Sequence, residues 1–287
     1  MKVYDSIEKF TGAKNPAVTI GTFDGVHIGH QKIIQQLKES AEAAKGESVI
    51  LTFYPHPRMV LFPDDEDLRL LSTEEEKKDL LEKMGVDHLI VHPFTKKFSR
   101  ITYTEYVRDI LVNKLKLKKL APVYGFELEK IPAQVLNKIE ISSTKIRKAL
   151  ESGDIKTANK FLGYEYSIKG TVIKGKGLGK GLGYPTANIG IDDKHKLVPA
   201  DGIYAAAIEH GDKKYGSMMS IGFNPTVNGE KKTIEVNIFD FEKDIYGENI
   251  RIFFKQKLRD EKKFDSLEAL RKAIDGDKEK TLKILSA

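Results

Sequence analysis

VTIGTFDGVHIGHQKIIQQLKESAEAAKGESVILTFY, residues 18–54, carries the pattern that decides the fold of the first half of this chain. VTIGTF at 18–23 is apolar and rich in β-branched residues, as a strand is. QKIIQQLKESAEAAK at 31–45 places apolar residues at helical spacing, and SVILTFY at 48–54 returns as a near-continuous apolar strand. Strands that are apolar on both faces and joined through a helix make a βαβ unit of a covered parallel sheet. The alternation continues through STEEEKKDLLEKMG at 72–85, where Ser72 or Thr73 is the expected N-cap and acidic residues fill the first turn. DHLIVHPF at 87–94 and the helical TYTEYVRDILVNKL at 102–115 repeat it. The expectation is a doubly wound α/β domain over residues 1–162.

After Leu162 the rhythm changes. YSIKGTVIKG, IYAAAIEHG, KKYGSMMSIG, KKTIEVNIFDF and NIRIFFKQKL are strand candidates separated by Gly, Asn, Asp and Pro turns. DSLEALRKAI at 265–274 reads as an amphipathic helix. Residues 163–287 therefore read as an antiparallel β-barrel or sandwich with one helix, with the boundary near residues 162–166.

Composition narrows the class. The 287 residues are 40% hydrophobic and 31% charged, as in globular proteins. No run of about 18 apolar residues occurs, so no transmembrane helix is expected, and MKVYDSIEKF lacks the apolar core of a signal peptide. The absence of cysteine excludes disulfides and thiol chemistry, and a cytoplasmic location is the expectation. The formal charge of +6 suits an anionic ligand, although acidic residues interrupt most lysine clusters and argue against an extended nucleic-acid stripe.

Within GTFDGVHIGH (21–30), the strand ends near Phe23 and a helix starts at about Gly29 or His30. Ligands of open α/β sheets sit at the carboxyl ends of strands, and a helix amino end offers free N–H groups to a phosphate. Gly21 and Gly25 let the backbone come close. His27 and His30 can donate hydrogen bonds to phosphoryl oxygens as charge builds in a transition state. A metal pair is disfavoured because no third ligand lies at suitable spacing. ISSTKIRKAL at 141–150 adds a second polar loop, with Ser142, Ser143 and Thr144 placed to cap a helix and Arg147 one turn inside.

Together, FDGVHxGH and ISSTxIR resemble the nucleotidyltransferases that attack the α-phosphate of ATP. GTFDGVHIGHQ with TFYPHPR (52–58) is similar to the FAD synthetase module of bacterial bifunctional riboflavin kinase/FAD synthetases. The resemblance implies a Rossmann-like nucleotidyltransferase domain. In it, His27 and His30 would stabilise the pentavalent α-phosphate, and Ser143, Thr144 and Arg147 would hold the departing phosphates. Gly21, Phe23, Asp24 and Gly25 complete the implied nucleotide-binding set. The FMN phosphate is itself the nucleophile, so the site's work is positioning and charge stabilisation.

GKGLGKGLGYPTANI, residues 175–189, is the second concentration of chemistry. It is not a Walker A loop. Gly175, Gly177, Gly179, Gly181 and Gly183 nevertheless make a loop that can lie on a polyphosphate, and Lys174, Lys176 and Lys180 add positive charge. Thr186 and Asn188 offer hard oxygen ligands of the kind Mg²⁺ takes beside phosphates. PTAN, PADGIYAA (199–206), SIGFNPTVNGEKKTIEVNIFDF (220–241) and LRDEKKF (258–264) resemble the riboflavin kinase module. That resemblance implies an antiparallel barrel in which Glu235 is the base for the ribityl 5′-hydroxyl, with ATP as co-substrate and Mg²⁺ as cofactor. Riboflavin, FMN, FAD and ATP are then the partners, with no nucleic acid and no membrane.

The resemblance spans roughly residues 10–285 but breaks once. After Leu120 the family continues into a strand and a G-x-D-x-x-F-G loop; here APVYGFELEKIPAQ (121–134) follows at once, and a sheet missing a strand of that segment of about twenty residues would leave backbone groups unpaired. Three readings follow: a bifunctional enzyme, a riboflavin kinase with an inactive first half, and a non-catalytic nucleotide or nucleic-acid binder. No recognised nucleic-acid motif supports the last.

Overall fold

The computed structural model describes residues 1–65, 67–115, 135–136, 139–175, 181, 183–226 and 229–286. They form two compact units, Met1–Ser143 and Thr144–Ala287. The departure after Leu120 lies outside the described residues.

In the first unit, β1 (Lys2–Tyr4), β4 (His88–Pro93), β3 (Ser48–Tyr54) and β2 (Ala17–Ile20) lie side by side in that order, all parallel. Helix α1 (Ile28–Ala43) crosses from β2 to β3. After β3 come the short α2 (Pro57–Leu61) and α3 (Glu74–Lys83). A helical stretch, α4 (Tyr103–Glu105), then widens into a π-helix over Tyr106–Lys114. Alternation along β3 shows why the sheet is covered twice. Ile50 packs with Phe23, Ile34, Leu37 and Leu81 on one face, while Val49 and Leu51 pack with Ile7, Ile110 and Leu115 on the other. The doubly wound expectation holds.

Two local details differ from the sequence reading. β2 stops at Ile20 rather than near Phe23, because the chain turns left-handed at Phe23 (φ 49°). Helix α1 begins at Ile28, since the His27 ring itself caps it. Of the two N-cap candidates for α3, Thr73 takes the position, in a capping box with Glu76.

A two-stranded ladder, β5 (Val135–Leu136) with β6 (Ile139–Glu140), precedes α5 (Ser143–Ser152) and α6 (Ile155–Leu162). The second unit is a closed antiparallel barrel in the order β10-β11-β8-β7-β12-β9. Its strands are β7 (Ser167–Ile173), β8 (Ala187–Gly190), β9 (Gly202–His210), β10 (Lys213–Thr226), β11 (Gly229–Ile238) and β12 (Asn249–Arg259). Tyr204 and Phe254 meet edge to face at 5.5 Å in its core, and Ile168, Ile208, Val236 and Ile252 of the barrel strands are buried as well. Closure leaves no free sheet edge.

Helices α5 and α6 pack on this barrel. Ala200 N donates to Leu150 O at 3.0 Å, and Asn159 Nδ2 donates to Phe254 O at 2.9 Å. The compact units accordingly divide before these helices, whereas the strand rhythm starts only after them. Helix α7 (Leu267–Leu285) closes the chain, capped by Ser266 and packed on β9, β10 and β12.

Candidate active sites

The first site is built on a strained turn. Phe23, Gly25 and Val26 all have positive φ (49°, 77° and 36°), a geometry that β-branched valine rarely adopts. The surroundings hold the turn there. The Asp24 carboxylate is buried and accepts from Leu71 N at 2.9 Å and Ser72 N at 3.2 Å, while Gly25 N donates to Ser72 Oγ at 3.0 Å. Ser143 Oγ donates to Asp24 O at 3.0 Å, so the start of the second motif closes on the first. Phe23 is a core side chain whose ring lies 5.2 Å from that of His30. Gly21 leaves room for it, since a Cβ there would lie 3.1 Å from the Phe23 ring.

The two histidines stack, centroids 3.7 Å apart and planes 15° from parallel. His27 Nδ1 accepts from His30 N at 3.3 Å, which places the proton of a neutral His27 ring on Nε2. Burial above all, then the neighbouring His27 and Lys77, pushes His30 down to about 3. His30 is therefore a neutral hydrogen-bond donor at physiological pH. Its Nδ1 is buried without a hydrogen-bond partner. Thr144 is exposed and Arg147 half-buried on α5, both in the second compact unit.

The second site lies on the outside of the barrel wall beneath α7. A cavity of about 600 Å³ is lined by Thr186, Met218, Ser220, Glu235 and Asn237 from the wall and by Ile274 from α7. Glu235 faces it because β11 alternates: Ile234 and Val236 point into the barrel core and Glu235 and Asn237 away from it. Register sets Glu235 opposite Asn188 of β8 and Ser220 of β10. Thr186 Oγ1 donates to Glu235 Oε2 at 3.2 Å.

A Cβ on Gly175 would lie 1.9 Å from Asn188 Nδ2, so the glycine is what lets the loop backbone pass over the Asn188 amide. Gly183 is exposed in a left-handed turn (φ 83°) just before PTAN, and Gly181 and Lys174 are exposed as well. Lys176, Gly177, Gly179 and Lys180 lie outside the described residues. Thr186 also lines a smaller cavity of about 250 Å³, with Phe241, Lys243 and Tyr246. The Thr186–Glu235 pair thus stands where two concave surfaces meet.

Asp277 carries no sequence signal, and Asn237 and Arg259 stand inside the stretches that resemble the kinase module without being singled out by them. Asn237 Nδ2 holds Pro185 O at 2.7 Å and so fixes the approach to Thr186. Arg259 forks onto the buried Asp277 of α7, Nε to Oδ2 3.0 Å and Nη2 to Oδ2 2.7 Å, anchoring the helix that roofs the cavity. Asp277→Ala should destabilise the second unit by about 3 kcal/mol, because it leaves a largely buried guanidinium without its carboxylate. Thermal unfolding measures this, and an unchanged midpoint would show that the pair does not anchor α7.

A riboflavin kinase family model matches residues 162–285, and a FAD synthetase family model matches residues 10–128. The bifunctional riboflavin kinase/FMN adenylyltransferase of Bacillus subtilis (strain 168) is 33% identical, the match covering 94% of this chain and 92% of the relative. The protein of that name from Listeria monocytogenes is 35% identical, with coverage of 93% and 91%. A crystal structure described as a macrolide-efflux protein from Streptococcus pneumoniae superposes with a TM-score of 0.88 at 31% identity, covering 97% of both chains. Among the described residues no helix is long and apolar enough to cross a membrane. The chain belongs to the bifunctional riboflavin kinase/FMN adenylyltransferase family. The Bacillus alignment runs over 295 positions against 94% of a 287-residue chain, so the relative has positions that this chain lacks.

Proposed function

We propose that the second unit phosphorylates riboflavin with ATP to give FMN, and that the first adenylylates FMN with ATP to give FAD and pyrophosphate. The functional division would follow residues 1–162 and 163–287. The observation that carries the kinase reading is the Thr186–Glu235 pair at the wall of the large cavity. Riboflavin in that cavity brings its ribityl 5′-hydroxyl to Glu235. The carboxylate takes the proton as the oxygen bonds to the γ-phosphorus and ADP leaves. The smaller cavity beyond Thr186 suits the nucleotide.

Thr186 and Asn188 would hold Mg²⁺ beside the phosphates. Their hydroxyl and amide oxygens are hard donors on one stretch of chain, next to a carboxylate. The ion when bound neutralises phosphate charge. No cluster of three His, Asp or Glu that could hold a metal by itself occurs among the described residues, which fits a cation shared with its substrate. Thr186→Ala should raise the Mg²⁺ concentration needed for half-maximal FMN formation about tenfold, which a metal titration measures. An unaltered titration would remove Thr186 from the ligand set.

In the first unit an FMN phosphate oxygen attacks the α-phosphorus of ATP, and the bond to the pyrophosphate oxygen breaks. The His27 Nε2–H and the neutral His30 ring donate to the phosphoryl oxygens as charge accumulates. Gly21, Phe23, Asp24 and Gly25 shape the turn that receives the nucleotide, while Ser143, held to Asp24 O, would take the leaving phosphates. Gly175, Lys180 and Gly183 would cover the phosphates at the kinase site. A cytoplasmic location suits an ATP-consuming enzyme without cysteines.

The test is to incubate the protein with riboflavin, ATP and Mg²⁺ and to separate the flavins over time. FMN followed by FAD supports both halves. The positions missing relative to the Bacillus protein favour a second reading, kinase alone, which FMN without FAD would establish. Neither product would leave a nucleotide-binding protein.

A further inference from the structure

The first unit buries an ammonium group that the reaction as described does not use. Lys77 stands on α3, yet only 8% of its surface is exposed. Its Nζ donates to Thr22 O at 3.2 Å and to Thr52 Oγ1 at 3.3 Å, and Thr52 Oγ1 itself donates to Thr22 O at 3.3 Å. Helix α3, strand β3 and the residue just before the left-handed turn are thereby tied at one point. A buried lysine is a costly way to fill space, since an apolar side chain would do so without desolvation. What the lysine adds is a clamp on the Thr22 carbonyl and a positive charge behind the histidines.

This inference rests on the assignment of adenylyl transfer to the first unit. We propose that Lys77 is a positioning residue for that reaction: by clamping the Thr22 carbonyl and the Thr52 hydroxyl it holds the Phe23–Val26 turn in the conformation that presents His27 and His30 to the reacting phosphate. Thr22 leads directly into the turn, and the far side of the same turn is held by Asp24 and Ser72. The turn is gripped from both ends, as a strained conformation must be to persist. Charge acts in the same sense. Burial pulls the Lys77 ammonium below the usual lysine range, while Asp24 from the turn and Glu74 from its own helix favour its charged form and Lys78 opposes it. His30 on α1 feels that charge, which helps to keep its ring neutral. β3 contributes the Thr52 hydroxyl.

The experiment compares wild type, Lys77→Met and Thr52→Val, the last removing one leg of the clamp while keeping the charge and the shape. FAD formation from supplied FMN, FMN formation from riboflavin, and the imidazole NMR signals at neutral pH are measured on the same preparations. Lys77→Met is expected to lower kcat for FAD formation about tenfold or more while KM for ATP moves less than about threefold. Thr52→Val should lower kcat less. FMN formation should be unchanged in both. The His27 and His30 signals should move, while those of His88 and His92, on β4, stay in place; a general loss of packing would move all four. A folded Lys77→Met protein with wild-type kcat, or with unmoved His27 and His30 signals, overturns the proposal. If Lys77→Met does not fold, an unchanged kcat in Thr52→Val overturns it instead. Absence of FAD from the wild type defeats the assignment of the reaction, whereas normal FAD formation by Lys77→Met defeats only the role of Lys77.

Discussion

Glu235→Gln is expected to lower riboflavin phosphorylation about 10²-fold or more, while FAD formation from supplied FMN continues at the wild-type rate. Glutamine keeps the shape of the side chain and an oxygen that can still accept from Thr186, so the contact at 3.2 Å survives the change. What is lost is the capacity to take the proton from the 5′-hydroxyl. The cavity wall beside it is unchanged, so riboflavin binding should be retained and the loss should fall on kcat rather than on KM. Steady-state kinetics with each substrate supplied separately measures this. Normal phosphorylation by the glutamine variant would exclude Glu235 as the base. A rise in riboflavin KM alone would make it a binding residue.

His30→Ala should have the opposite profile: FMN formation is spared and FAD formation falls about 10²-fold or more, as when one donor to developing charge is removed. The ring is neutral in the folded protein because burial, His27 and Lys77 together hold it at about 3. FAD formation should therefore show no ionisation of His30 between pH 8 and about 5. The stability consequence has a definite sign. Between the ordinary histidine value of 6.5 and about 3, the unfolded chain binds a proton that the folded chain does not. The stability associated with neutral His30 is thus complete above 6.5 and declines as pH falls through that window. Denaturant unfolding of the wild type between pH 7 and 5 should show this decline, and the His30→Ala protein should show less of it. An unchanged FAD rate in the variant would remove His30 from the reaction.

Much of this architecture was legible because its signals are local. The apolar runs around VTIGTF and SVILTFY, with a helical period between them, specify a βαβ unit from side-chain spacing alone. The change to Gly-, Asn- and Pro-punctuated strands after Leu162 marks the barrel in the same way. What escaped depended on pairing. β8 has four residues, Ala187–Gly190, at the end of a Pro-Thr-Ala-Asn-Ile-Gly stretch that reads as a loop, and it is a strand only because β11 and β7 flank it. β1 has three residues and exists through its register with β4. Helix α7 continues past the end of the amphipathic segment read from sequence, through Gly276 to Leu285, because the barrel supports it.

The sites divide along the same line. By itself the sequence determined the order of the two domains and the residue types at each site: paired histidines after a glycine turn, a hydroxyl and an amide beside glycines, and a glutamate in an alternating strand. Those follow from chain-local spacing, which survives without knowledge of contacts. Only the tertiary structure decided which donor the His27 imidazole offers, because its Nδ1 is occupied by a backbone N–H that the folded turn supplies. Only it put Thr186 against Glu235 across 49 residues of chain and brought Lys77 beneath Thr22 across 55. Lys77 shows the reason most clearly. In sequence it is one lysine in an acidic, lysine-rich helix; burial turns it into a clamp, and burial is a property of everything packed around a residue.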